Sequence, residues 1–314
     1  MEKKLFFEKL QTLRLKFLEN KGRVKVLQGF TWLLFDKAIQ IVVTLFITAW
    51  MARYFGVEKF GMWNYALAYI GILSAFSTLG LDTIVIRDIV KKPSHEYQIL
   101  GSTFLIKITF AILSLVLSIV GIFYLSKDPQ IRFMVSIMAL SFLCRPFDII
   151  EFYFQSKLHF QYIVLARNIA FLIVSAARII LIINKAPLIF FAWSFLCEVV
   201  FGAVLLIVFY KIKEGLFRKW SINQSVIVQL IKDGWPLFLS FTSSMLYLRC
   251  DQIMVGKMLD NQSLGLYSAS LRIYEVPFMI SCMLASAIFP KIVELYETNI
   301  ELFARSSPSS DTFQ

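Results

Sequence analysis

ILGSTFLIKITFAILSLVLSIVGIFYL, residues 99–125, carries one charge, Lys107, in an otherwise uncharged and mostly apolar run. A helix needs roughly 20 mostly apolar residues to cross the hydrocarbon core of a bilayer, so this stretch reads as a membrane span. Outward from it, windows of about 19 residues find spans at 30–52, 63–86, 133–154, 162–183, 188–210, 235–256 and 267–289. The 314 residues are 58% hydrophobic and 17% charged, with a mean hydropathy of +0.70. That composition excludes an ordinary soluble domain. Backbone in hydrocarbon has to be hydrogen-bonded internally. With short links, the fold class is therefore all-α, a polytopic transmembrane helical bundle of about eight spans.

The first span follows a long basic segment, exceeds the apolar region of a signal peptide and has no small-residue cleavage site after it, so it reads as retained. With the amino terminus in the cytoplasm, 19 of the 32 Lys and Arg fall on the cytoplasmic side, 6 outside and 7 within spans. This is the asymmetry of the positive-inside rule, and it places the chain in a bacterial cytoplasmic membrane. The net charge of +11 is then a collar for the anionic headgroups of membrane lipids, with no nucleic acid as partner. Leu10, Leu13, Phe17 and Leu18 with Lys9, Arg14 and Lys16 fit a short amphipathic surface helix and equally a frayed tail. Cys144, Cys197, Cys250 and Cys282 lie in apolar runs without zinc or disulfide spacing and read as small buried apolar side chains. His95 and His159 stand singly in links. No metal or cofactor is expected; a membrane ion gradient is the energy source the sequence leaves open.

Offsetting the chain against itself by 204 residues lays Ala52–Gly61 over Gly256–Gly265. Each segment is a basic residue closing a span, a polar turn, and a bulky apolar residue with Gly before the next span. Trp32 then falls beside Trp235-Pro236, and Tyr65-Ala66 over Ala269-Ser270. Six spans per repeat is an even number, so the two lobes share one orientation and are related by an axis along the membrane normal. The organisation is a basic segment 1–28, a six-span lobe 29–210, a cytoplasmic link 211–233, the first two spans of a second lobe 234–292, and a polar tail 293–314. Lobes paired in this way enclose a cavity that opens to alternate sides, so a transporter leads.

Ionisable groups in a membrane cost a few kcal/mol each and face the bundle interior or a wet cavity. Arg145 and Asp148, like Arg272 and Glu275, stand three apart and share a helix face. Asp36 and Lys37 are adjacent and point apart. Lys107, Arg167, Arg178 and Arg249 have no opposite charge at helical spacing, so their partner comes from another helix, water or a bound anion. Arg167 and Arg178 lie three turns apart on one face, as a cation ladder along a cavity or as side chains snorkelling to the two interfaces. Lys107, Arg145, Arg167, Arg178, Arg249 and Arg272 are the candidates for binding substrate. Asp36, Lys37, Asp82, Arg87, Asp148, Glu198 and Asp251 are the candidates for gating or coupling. A guanidinium holds phosphate in bidentate fashion and stays charged, and the excess of cations favours an anionic substrate.

Trp32-Leu33-Leu34-Phe35-Asp36-Lys37, then Ala52–Gly61 (ARYFGVEKFG), then Leu79-Gly80-Leu81-Asp82 with Ile86-Arg87, resemble the O-antigen and polysaccharide flippases of the multidrug/oligosaccharidyl-lipid/polysaccharide exporter superfamily. The likeness covers about residues 25–290. It implies translocation of undecaprenyl-pyrophosphate-linked glycan between leaflets through a cationic central cavity, with a polysaccharide polymerase and chain-length proteins as prospective partners. Gly56 and Gly61 are then the glycines of a tight turn.

A membrane glycosyltransferase or polymerase needs a sizeable loop for catalytic carboxylates or His, and no loop here exceeds about 25 residues. No phosphate-binding glycine loop is present either, so the chain reads as no enzyme. An ion-coupled multidrug exporter of the same superfamily and a non-transporting component of a polysaccharide assembly complex are the rival readings.

Overall fold

The computed structural model of the protein describes the backbone of residues 2–215, 220–275 and 277, and the side chains of those from residue 40 onward. Eight α-helices follow in order: α1 (Glu2–Thr78), α2 (Asp82–Lys91), α3 (Glu96–Leu125), α4 (Pro129–Ala139), α5 (Ile149–Ser156), α6 (Phe160–Ile183), α7 (Leu188–Glu214) and α8 (Gln224–Met258). A further helix covers residues 261–275. Among the described residues there is no strand. The segment Leu10–Leu18, Trp32, Asp36 and Lys37 lie where side chains are not described, and Cys282 and the tail 293–314 lie outside the described residues altogether.

Small and polar side chains share the buried faces with apolar ones, while large apolar side chains cover the outside, as lipid allows. Along α3 the buried face holds Lys107, Ala111, Ser114 and Ser118, while Ile112, Val116, Val120 and Phe123, at intervals of three and four, are half-exposed or more. Small and hydroxyl residues inward let backbones approach and satisfy one another. Ser114 and Ser118 hydroxyls donate to carbonyls one turn back, and Tyr69 OH of α1 donates to the Ser118 carbonyl at 3.1 Å. Cap chemistry sets the ends. Pro129 opens α4 after Asp128, whose carboxylate accepts from the Gln130 N–H at 2.8 Å, and Asn223 caps α8 by accepting from the Ser225 N–H at 3.0 Å.

Five stretches are long and apolar enough to cross a membrane: Gln40–Lys91, Pro93–Leu125, Pro129–Ser156, Phe160–Ile183 and Leu188–Glu214. They hold the six spans expected up to residue 210, because α1 makes two of them and turns at Gly56 (φ 70°, ψ 174°). The seventh expected span, α8, falls short in hydropathy because Ser240, Thr242, Ser243 and Ser244 dilute its apolar middle. Most of the eighth lies outside the described residues.

Two spans read as continuous from hydropathy are interrupted. The second breaks between α1 and α2, where Leu79 (φ 56°) and Gly80 (φ 61°) take left-handed conformations in succession. The fourth unwinds into nine residues of 3₁₀ helix, Leu140–Asp148, between α4 and α5. Pro146 accounts for this break, since it lacks an N–H and its ring clashes with the carbonyl four residues back. Runs of 3₁₀ longer than three or four residues are uncommon. Apolar packing divides at the same place: Phe142 belongs to one cluster with Phe55, Trp63 and Phe191, and Ile149 to another with Val85, Leu100 and Phe154.

The repeat has a physical counterpart. A Cβ on Gly61 would overlap the Asn261 carbonyl and lie 3.0 Å from the Gly265 nitrogen, and one on Gly265 would overlap the Val57 carbonyl. The offset of 204 maps Val57 onto Asn261 and Gly61 onto Gly265, so each contact is the image of the other. Asp260 accepts from the Ser263 N–H at 2.6 Å, which holds its carboxyl below the ordinary value of 3.8. That contribution is present above pH 3.8 and disappears as pH falls through the lowered value.

Residues Met1–Ser268 form one compact unit, in which α8 packs on α1 and α3; residues from Ala269 onward belong to a second, whose described part is helical. Of the cysteines, Cys144 is half-buried and Cys197 and Cys250 are exposed, where buried side chains were expected. Gly56 and Gly61 separate conformational from steric need. Gly56→Ala meets open space but keeps a positive φ, costing about 1 kcal/mol, whereas Gly61→Ala drives a methyl into partner backbone and costs about 3 kcal/mol. Detergent melting curves should fall in that order.

Candidate functional site

The two breaks leave charged side chains inside the bundle. Arg145 and Asp148 sit on the 3₁₀ segment, Asp82 opens α2, Lys107 lies one-third of the way along α3, and Glu151 stands in the first turn of α5. Arg167 and Arg178 come from α6 and Glu198 from α7. A cavity of about 340 Å³ opens between α1, the 3₁₀ segment, α6 and α7, lined by Gln40, Thr44, Arg145, Asp148, Arg167 and Glu198 and closed by apolar residues such as Phe171 and Phe195.

Every cation here meets a carboxylate. Arg145 Nη1 lies 3.6 Å from Asp148 Oδ2, and Arg167 Nη2 lies 3.8 Å from Asp148 Oδ1. Arg167 Nε donates to Glu151 Oε2 at 2.9 Å, and its Nη2 pairs with the same oxygen. Arg178 Nη2 is 2.7 Å from Glu198 Oε2 while its Nε donates to Ser194 Oγ at 3.1 Å. Lys107, 1% exposed, has its Nζ 3.9 Å from Asp82 Oδ1 and 4.4 Å above the Phe152 ring. Lys107, Arg167 and Arg178, which have no intrahelical partner, thus each find one on another element. Arg178, 12% exposed, is a paired interior residue and not a snorkelling one. The cation ladder is a ladder of ion pairs: two cations and two carboxylates line the cavity, so its wall balances where an excess of positive charge was expected. An unpaired charge at the centre of a helix in a bilayer costs about 3 kcal/mol on insertion scales, and pairing across helices offsets that cost.

Pairing is not saturated. Among the described residues, Arg145 Nε and Asp82 Oδ1 are buried without a hydrogen-bond partner. A buried donor left unused costs about 1–3 kcal/mol, and Arg145 Nε is such a donor on a residue that lines the cavity.

Other candidates lie elsewhere. Arg87 Nε is 2.8 Å from Asp88 and its Nη2 3.2 Å from Asp233 of α8. Close by, Gly80 packs on the backbone of Leu237 and Gly234 on the side chain of Leu81. Beside this contact a crevice of about 390 Å³ runs between α2, α3 and α8, past Asp88, Lys92, Gln98, Asn223 and Gln229. Arg249 lies along Gly71 of α1, away from the cavity lining. Asp251 accepts from Tyr267 OH and from the Gln252 N–H. In the second unit Arg272 bonds Glu275 at 2.9 Å, as their spacing required. Sequence reasoning missed Asp233 and Tyr267 as partners. Asp233 precedes Gly234-Trp235-Pro236 directly, which marked the position without naming its mate.

Five stretches able to cross a bilayer, large apolar residues on the outside and an interior ion-pair network define a multi-pass helical membrane protein. The chain belongs to the polysaccharide biosynthesis protein family, whose sequence profile matches residues 26–296. No curated protein and no solved structure matches it significantly.

The Arg178–Glu198 pair gives a direct test. Glu198→Gln leaves a buried guanidinium uncompensated and should cost about 3 kcal/mol, the low end for broken buried pairs because Glu198 is 30% exposed. Replacing both residues by Leu should recover most of the loss. Unfolding of the purified variants in detergent measures both.

Proposed function

We propose that this protein is a flippase carrying undecaprenyl-pyrophosphate-linked oligosaccharide, an O-antigen or capsule repeat unit, across the bacterial cytoplasmic membrane by alternating access, with its amino terminus in the cytoplasm. Family membership supports the pathway, since membrane proteins of polysaccharide biosynthesis handle lipid-linked glycan. The observation that carries the reading is the pair of guanidiniums, Arg145 and Arg167, on one cavity wall, with Arg145 Nε still an unspent donor. A pyrophosphate offers oxygens in the plane that suits a guanidinium fork. It would take Arg145 and Arg167 in exchange for Asp148 and Glu151, and release returns them to those carboxylates. Because two cations and two carboxylates line the wall, the empty cavity has no net charge to strand in the membrane. No bond is made or broken in this cycle, and the driving force is a membrane ion gradient.

The rival, an ion-coupled exporter of cationic compounds, draws on Asp148 and Glu198 of the same wall. Charge reversal separates the two. Arg145→Glu and Arg167→Glu, expressed at wild-type level, should each abolish delivery of lipid-linked glycan to the outer leaflet, so that it accumulates on the inner one. Surface polysaccharide at wild-type amount in both variants would remove the pyrophosphate reading, and drug resistance that depends on Asp148 would replace it.

A further inference from the structure

On α7 the cavity is lined by Phe195, Glu198, Val199, Gly202, Ala203 and Leu206. These recur at intervals of three and four, so one face of the helix follows the cavity for three turns, about 16 Å. Two contacts fix the register of α7 against α6. A Cβ on Gly202 would lie 4.0 Å from that of Ala170, and Arg178 Nε donates to Ser194 Oγ at 3.1 Å. From the first contact to the second, α6 advances eight residues and α7 goes back eight, as antiparallel neighbours do. Arg167, three residues before Ala170, is then level with Leu205, three after Gly202. Glu198, four before Gly202, is level with Val174, four after Ala170. Seven residues of helix separate the two levels, about 10 Å.

The cavity therefore has two polar ends. One holds Arg145 and Arg167 around Asp148. The other holds Glu198, which in the proposed orientation lies nearer the exterior, and Phe171 and Phe195 supply apolar surface for the lining. Glu198 differs from Asp148 in how its charge is met. Asp148 shares two guanidiniums of the wall itself, whereas Glu198 is held at 2.7 Å by Arg178, which is not part of the lining. A carboxylate has about four acceptor sites, and that contact is to Oε2 alone, on a side chain still 30% exposed. With its charge balanced from behind, Glu198 is a poor seat for a cation and a strong acceptor for an uncharged donor.

We infer that Glu198 reads the first sugar of the substrate, the one joined directly to pyrophosphate, by accepting hydrogen bonds from its hydroxyls. The inference rests on the cavity holding pyrophosphate at Arg145 and Arg167. A sugar ring so attached presents hydroxyls beyond the phosphates and a C–H face for the apolar lining. Arg178 is a positioning residue, since it holds the carboxylate and balances its charge without lining the cavity. Specificity has a repulsive side as well. A first sugar bearing a carboxylate, such as a uronic acid, sets anion against anion at Glu198 and gains nothing there.

The test measures equilibrium binding of three probes to the full chain in detergent. They are the methyl ester of geranylgeranyl pyrophosphate and the corresponding esters of glucose and glucuronic acid. The methyl and glucosyl probes carry the same charge, so their ratio isolates the sugar. The parent should bind the glucosyl probe about tenfold tighter than the methyl one, the contribution of one hydrogen bond to a charged acceptor. It should bind the glucuronosyl probe no tighter than the methyl one. In the charge-balanced variant Arg178→Leu/Glu198→Leu the glucosyl preference should fall to about one. In Arg178→Gln/Glu198→Gln, whose amide carbonyl still accepts, part of the preference should return. A parent that binds the glucosyl and methyl probes equally overturns the inference alone, and so does one that binds the glucuronosyl probe as tightly as the glucosyl. A tenfold preference that survives in the leucine pair overturns it too. A parent that binds none of the probes overturns the cavity reading with it.

Discussion

A charge carried into a bilayer has to meet its opposite there, and the bends of this chain follow from that requirement. Arg145, Arg167, Arg178 and Lys107 each lie within 4 Å of a carboxylate on the same or another element. Straight spans would not bring these groups to one level. The 3₁₀ segment at Leu140–Asp148 and the left-handed pair Leu79-Gly80 set Asp148 beside Arg145 and Arg167 and Asp82 beside Lys107 of α3. The strain of a positive φ at a non-glycine such as Leu79, of order 1 kcal/mol or more, is small beside the cost of an unpaired interior charge. Irregular backbone is tolerated at membrane depth where it is wrapped in protein, and here helices on both sides wrap it.

What hydropathy averages over, the sequence alone conveys well: spans as far as Tyr210 follow from composition, and the turn at Gly56 from glycine. A window of about 19 residues is blind to a break inside it. Pro146 and Gly80 were visible as residue types, but an interior proline does not always interrupt a helix, and Pro236 within α8 passes without a break. Spacing gave Arg145 with Asp148 and Arg272 with Glu275, because partners three apart need only one helix. It did not give Glu151 for Arg167 or Glu198 for Arg178. They are sixteen and twenty residues away and lie across packing interfaces whose rotation no local pattern records. The balance of charge in the cavity was hidden for the same reason.

The repeat also shows how a sequence pattern can outrun its statistical weight. The two segments share few identities, yet the positions that match, Gly61 and Gly265, are those where each backbone rests on the other. Selection at such sites acts on the absence of a side chain, so the signal is two glycines and little else. Arg87 and Asp233 tie α2 to α8 by a different principle, with both side chains more than a third exposed on the charged group or close to it.

These two contacts answer differently to their surroundings. Glycine against carbonyl holds no charge that dissolved ions could screen, whereas an exposed ion pair weakens as ionic strength rises, with a Debye length of only about 8 Å at 0.15 M. In the proposed orientation the glycine contact faces the exterior, where salt varies with habitat, and the ion pair faces cytoplasm, where salt is regulated. The outer closure is then indifferent to the medium the cell happens to occupy, and the contact that salt can tune stands on the side the cell controls.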